Sequence, residues 1–92
     1  MKHAGPEALD RIEPLLESLR ALDGLKEKSR GCFYLGGKGF LHFHEHGESE
    51  MYADIRRGDD FERLPAVTSA QQKAILKMAA KALADGKRLA KR

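Results

Sequence analysis

The chain has no tryptophan, a single cysteine and three prolines among its 92 residues. A lone Cys32 rules out an internal disulfide framework, so stability has to come from a packed core. No apolar run approaches the ~20 residues that a transmembrane helix needs, which removes a helical membrane span and a membrane partner from consideration. The segment Met1 to Glu7 lacks the apolar stretch of a secretory signal, and with the single cysteine this makes a cytoplasmic location the expectation. Internal repeats, low-complexity tracts and linker-like stretches are also missing, so residues 1–92 are expected to form one domain. Hydrophobic content of 41% and charged content of 34% are those of an ordinary globular chain.

The formal net charge of +3 is unevenly distributed. From Thr68 onward, Lys73, Lys77, Lys81, Lys87, Arg88, Lys91 and Arg92 stand against Asp85 alone, while the rest of the chain holds more acidic than basic residues. Basic character therefore belongs to one terminal element and not to the domain surface as a whole.

Leu9, Ile12, Leu16 and Leu19 recur at helical spacing and predict a helix over roughly residues 6–22. Pro14 requires either a kink or a new helical start at that point. Gly24 is placed to end the helix, and the charged run from Lys26 to Arg30 reads as a connector. Three strands are expected next, over residues 31–35, 40–46 and 51–55, separated by Gly36-Gly37-Lys38-Gly39 and by Gly47-Glu48-Ser49. Phe61 to Leu64 is a candidate fourth strand, stopped by Pro65. Thr68 and Gln71 have capping-box spacing ahead of a helix whose apolar face carries Ile75, Met78 and Leu83. Gly86 is expected to stop it, leaving residues 86–92 as a frayed basic tail. The fold class is therefore α+β: helix, a three- to four-stranded antiparallel sheet, helix, with both helices on one sheet face.

The richest segment is Leu41-His42-Phe43-His44-Glu45-His46. Successive side chains of a strand point to opposite faces, so Leu41 and Phe43 go inward and the histidines outward. A hairpin centred on Glu48 sets His46 against Glu50, His44 against Tyr52 and His42 against Asp54; one centred on Gly37 sets Phe33 against Leu41 and Cys32 against His42. A slip of one residue would expose Phe33, Leu35, Leu41 and Phe43, which selects this register. The outer face then holds Cys32 with Tyr34, Phe40, His42, His44, His46, Glu50, Tyr52, Asp54 and Arg56.

Several chemistries compete for that face. A divalent transition metal could be shared by adjacent histidines with a carboxylate completing or orienting the set, which nominates His42, His44 and Asp54. His42 and His46 are ~13 Å apart on a flat strand, too far to share one ion. Cys32, His42 and Asp54 are the residue types of a thiol triad, but no helix N-terminus or oxyanion donor accompanies them. Histidines beside Tyr34, Phe40 and Tyr52 also suit a surface covered by a protein partner, a second copy or a small ligand. The stripe Lys73, Lys77 and Lys81, extended by Lys87 and Arg88, is a candidate contact for nucleic acid or other anionic polymers, without sequence readout. The glycines at 36, 37 and 39 lack Walker spacing and join two strands, so they read as a hairpin turn rather than a phosphate loop.

The stretch from Phe40-Leu41-His42-Phe43-His44-Glu45-His46 to Tyr52-Ala53-Asp54-Ile55-Arg56 resembles small bacterial domains labelled luciferase-like. The resemblance covers the central third of the chain, implies the helix–sheet–helix order and draws attention to His42, His44 and Asp54. It carries no catalytic residue, flavin site or light-emitting chemistry with it. The expectation at this stage is a binding or accessory module acting through the polar-aromatic sheet face, with metal binding and weak polymer binding as alternatives.

Overall fold

A computed structural model describes residues 2–47 and 49–90, with side chains described through Asp85. The centring of the second hairpin on Glu48, the side chains of Lys87 and Arg88, and residues 91–92 lie outside what is described. The order is β1 (Lys2–His3), α1 (Pro6–Arg11), α2 (Glu13–Arg20), β2 (Leu25–Ser29), β3 (Cys32–Leu35), β4 (Lys38–His46), β5 (Glu50–Arg57), β6 (Asp60–Pro65) and α3 (Ser69–Ala90). The fold is α+β, with a six-stranded antiparallel sheet in the order β2-β3-β4-β5-β6 and β1 paired to β4. The expectation of three or four strands is corrected to six.

Pro14 accounts for the divided first helix. It sits within the first turn of α2, where its missing amide has no carbonyl to serve, and Ile12 between the two helices leaves helical geometry with φ −113° and ψ 16°. The charged segment expected to be a connector is β2, an edge strand. Lys26, Glu27 and Lys28 make a poor strand signal but are suited to an unpaired sheet edge, where charge discourages further pairing. Glu27 accepts the Gly31 amide at 2.9 Å and also pairs with Arg20, tying α2 to this edge. Gly31 has φ +80°, which favours glycine, and a β-carbon there would come within 2.7 Å of Leu9 Cδ2, so the end of that side chain would have to shift.

The two long strands pair in the expected register: His42 faces Asp54, His44 faces Tyr52 and His46 faces Glu50. Cys32 faces His42 and Phe33 faces Leu41, also as expected. Closer to the turn the pairing changes. Gly36 and Gly37, with φ +59° and +83°, form a two-residue connection, and Leu35 faces Lys38. One residue of β4 is therefore in excess, and a bulge falls between the Phe33 and Tyr34 pairings. Its consequence is that Phe40 and Leu41 both turn inward, at 3% and 0% exposure. The assignment of Phe40 to the outer face is thus corrected: it is a core residue.

The core unites Leu9, Leu16 and Leu19 of the first two helices and Ile12 between them with Phe33, Leu41, Phe43, Met51, Ala53 and Ile55 of the strands and with Ile75 and Ala79 of α3. Leu35 and Met78, expected inside, pack at its margin. At the start of α3, Thr68 Oγ1 accepts the Gln71 amide at 3.1 Å and Gln71 Oε1 accepts the Thr68 amide at 3.0 Å, completing the capping box. Gly86 does not end α3; the helix runs on to Ala90. The glycine's cost of about 1 kcal/mol in a helix interior is too small to break a 22-residue helix alone.

Because Phe40 is a core residue, Phe40→Ala should lower unfolding stability in urea by about 3–5 kcal/mol. Phe61→Ala, at a ring 42% exposed, should cost much less. Equal effects from the two substitutions would contradict the bulge.

Candidate functional site

The outward residues of five strands form two rows across the sheet, four strands contributing to each. One row runs Cys32, His42, Asp54, Arg63; the other runs His3, His44, Tyr52, Pro65. The second row begins with a strand that has no recognisable sequence signal. Lys2 and His3 lie against β4 where β3 has ended, with His3 opposite His44, and the Ala4 amide donates to the Phe43 carbonyl at 3.1 Å. This brings a third histidine to the pair on β4. The ring centroid of His3 is 4.9 Å from that of His44 and 5.9 Å from that of His42, and the two β4 rings are 4.9 Å apart.

Each of the three rings offers a nitrogen within 4.8 Å of the other two. His42 Nδ1 and His44 Nε2 lie 2.9 Å apart. Zinc–nitrogen bonds of about 2.0–2.1 Å in tetrahedral geometry separate ligand atoms by about 3.3 Å, a spacing that one nitrogen from each of the three rings can reach by modest side-chain rotation. Among the described residues this is the one such cluster.

Asp54 stands behind the rings and not among the closest donors. It is buried at 7% exposure, and Arg63 grips it with two hydrogen bonds, Nε to Oδ1 at 2.8 Å and Nη2 to Oδ2 at 3.0 Å. The Arg63 guanidinium holds the carboxyl below its usual range, against the opposing effect of burial. Asp54 Oδ2 also lies 3.2 Å from His44 Nε2. In the tautomer that donates its Nε2–H to this carboxylate, the lone pair lies on His44 Nδ1. That atom is buried and has no hydrogen-bond partner. Burial, and then the neighbouring His44, push His42 below its ordinary 6.5, so it is a neutral ring with an available lone pair at pH 7.

The other expected outer-face residues are distributed around this centre. His46 lies outside the cluster, exposed, with Nε2 3.9 Å from Glu50. Tyr52 is half-buried beside His44 in the second row. Tyr34 is capped at the sheet edge by Lys28, whose Nζ lies 4.4 Å from the ring centre. Arg56 donates from Nε to the Gly39 carbonyl at 2.6 Å and lies 4.6 Å from the Phe61 ring centre. Cys32 opposes His42 and lines a cavity of about 310 Å³ with His3, Tyr34, His42 and His44. Among the described residues its sulfur makes no hydrogen bond to His42, whose Nδ1 faces His44, while Asp54 is engaged by Arg63 and His44. The thiol triad is not assembled. Lys73, Lys77 and Lys81 are exposed on α3.

Three contributors went unrecognised in the sequence. His3 belongs to a two-residue strand, too short for any periodicity. Arg63 and Phe61 were within reach, because extending the β5 register into the fourth strand sets Arg63 against Asp54 and Phe61 against Arg56. Phe61 stacks near His42, with centroids 5.2 Å apart.

No protein-family model, curated protein or solved structure matches the chain. Among the described residues, no helix is long and apolar enough to cross a membrane.

The lowered value of His42 sets a direction for stability. An unfolded chain takes up a proton near pH 6.5 more readily than the folded one, so the stability tied to neutral His42 is fully present above 6.5 and is lost as the pH falls through the lower folded value. Urea midpoints measured from pH 7 to 5 in chelator should therefore fall more steeply for the native chain than for His42→Gln. Parallel curves would show that His42 is not held neutral by its surroundings.

Proposed function

We propose that this chain is a binding module whose outer sheet face holds a divalent transition metal through His3, His42 and His44. One observation carries this reading: three histidine nitrogens lie within 4.8 Å of one another, on three positions that share one sheet face. Imidazole donors suit zinc, copper and nickel, and two neighbouring features favour an ion over a bare polar surface. His44 Nδ1 is a buried nitrogen with no hydrogen-bond partner among the described residues, and an unpaired buried polar atom costs about 1–3 kcal/mol that coordination would relieve. Asp54 stands against the opposite nitrogen of the same ring, the position from which a carboxylate orients a metal-ligating histidine.

In this reading Asp54 orients His44 and Arg63 keeps Asp54 ionised and in place. His46 takes no part. The rings turn toward one another and leave Phe61 as the exposed aromatic of the same face, which favours the ion over self-association through the histidines themselves.

Calorimetric titration of the tag-free chain with zinc, nickel and copper salts tests the proposal. One ion per chain is expected, with a rise in melting temperature; ion at 100 times Kd stabilises by about 2.7 kcal/mol. His3→Ala and His44→Ala should abolish or weaken binding at least tenfold, Asp54→Asn should weaken it about 10- to 100-fold, and His46→Ala should leave it unchanged. Absence of binding, or equal weakening by His46→Ala, would sink the assignment.

A further inference from the structure

A second cavity, of about 590 Å³, lies where α3 passes the turn end of the sheet, away from the histidines. Its apolar lining includes Leu35, Phe40, Met78 and Ala82. The β4 bulge is what supplies Phe40, since it turns that ring to the helix side. Arg56, Arg57, Lys77 and Lys81 also line it, with Asp85 the single carboxylate among the lining residues. Arg57 is paired with Glu62 at 2.9 Å, and Arg56 Nε is engaged by the Gly39 carbonyl. Lys77 and Lys81 lie one helical turn apart, and among the described residues neither has a carboxylate within 4.0 Å. The volume falls in the range of small-molecule sites, about 300–1,000 Å³.

We infer that this cavity binds a small amphipathic carboxylate, with its hydrocarbon chain against Phe40, Leu35 and Met78 and its head group between Lys77 and Lys81. Charge selects the occupant. A carboxylate gains two ammonium partners that an uncharged head group does not, and a polyanion makes no use of the apolar lining. The ammonium groups can follow the head group because long lysine side chains keep their charge in water while their stems cover apolar surface. This site is independent of the histidine cluster, so the two proposals stand or fall separately.

Decanoate, kept below its micelle-forming concentration, is the probe. Nuclear magnetic resonance titration of the full chain should shift the signals of Leu35, Phe40, Met78 and Ala82, and calorimetry should give one saturable site. Decanol and acetate should each bind at least tenfold more weakly. The exposed pair Lys77→Glu with Lys81→Glu should weaken decanoate binding at least tenfold with an unchanged circular dichroism spectrum. Ala74→Trp, which narrows the cavity from an exposed helix position, should weaken it independently of charge. His44→Ala should leave it unaltered. Equal affinity for decanol and decanoate, competition by random duplex DNA as strong as that by decanoate, or binding only to micelles or phospholipid vesicles would each overturn the inference.

Discussion

Both faces of this domain depend on the alternation of side chains along β4. Leu41 and Phe43 are fully buried, so His42 and His44 have to emerge on the other side of the same strand. The buried pair is held by Ile55 and Ala53 across one edge and by Phe33 across the other, which leaves β4 no freedom to slip. Shifting it by one residue would bring two imidazoles into a core with no polar partner and expose a leucine and a phenylalanine. The histidines are therefore positioned by hydrophobic burial, although they are themselves polar. The bulge uses the same constraint differently. A two-residue glycine turn and a fixed Phe33–Leu41 pairing disagree by one residue, and Phe40 absorbs the difference by joining the core.

Asp54 is the electrostatic counterpart of that constraint. It is the one charged group buried in the described structure, and burial alone would raise its pKa. The two hydrogen bonds from Arg63 reverse the balance, so the carboxylate stays ionised. Arg63 can do this from a half-exposed position because its guanidinium presents two parallel donors to one carboxylate. The ion pair leaves the ground beneath the histidines close to neutral overall, while the local charge on Oδ2 still directs the proton of His44.

How much of this was legible in the sequence depended on whether a feature was carried by pattern or by geometry. The β4–β5 register was readable because apolar parity on both strands admits one solution, and that placed His42, His44 and Asp54 near one another. The capping box at Thr68 and Gln71 was readable because two specific side chains are needed at fixed spacing. β2 was hidden by its own charges, which mark a strand as an edge only after its neighbour is known. His3 was unreadable for a stronger reason. A two-residue strand has no period, and its partner on β4 is more than forty positions away in the chain. The burial of Phe40 required knowing the length of the turn, which four residues containing three glycines leave open.

The arrangement also bears on how firmly the proposed ion would be held. Its three donors are imidazoles with no carboxylate among them, because Asp54 faces His44 and is already paired with Arg63. Without a carboxylate or thiolate in direct contact, little negative charge opposes loss of the ion. His42 and His44 are half-buried and fixed by a long strand, whereas His3 is exposed and arrives on a short one. Two donors are thus preorganised, and the third must be held by a strand with only two paired positions. Such a division favours an exchangeable ion over a structural one: the domain core is complete without it, and release requires only that His3 swing away from the face. On the proposed reading, metal affinity would therefore be governed by the pairing of Lys2 and His3 with β4 as much as by the histidines themselves.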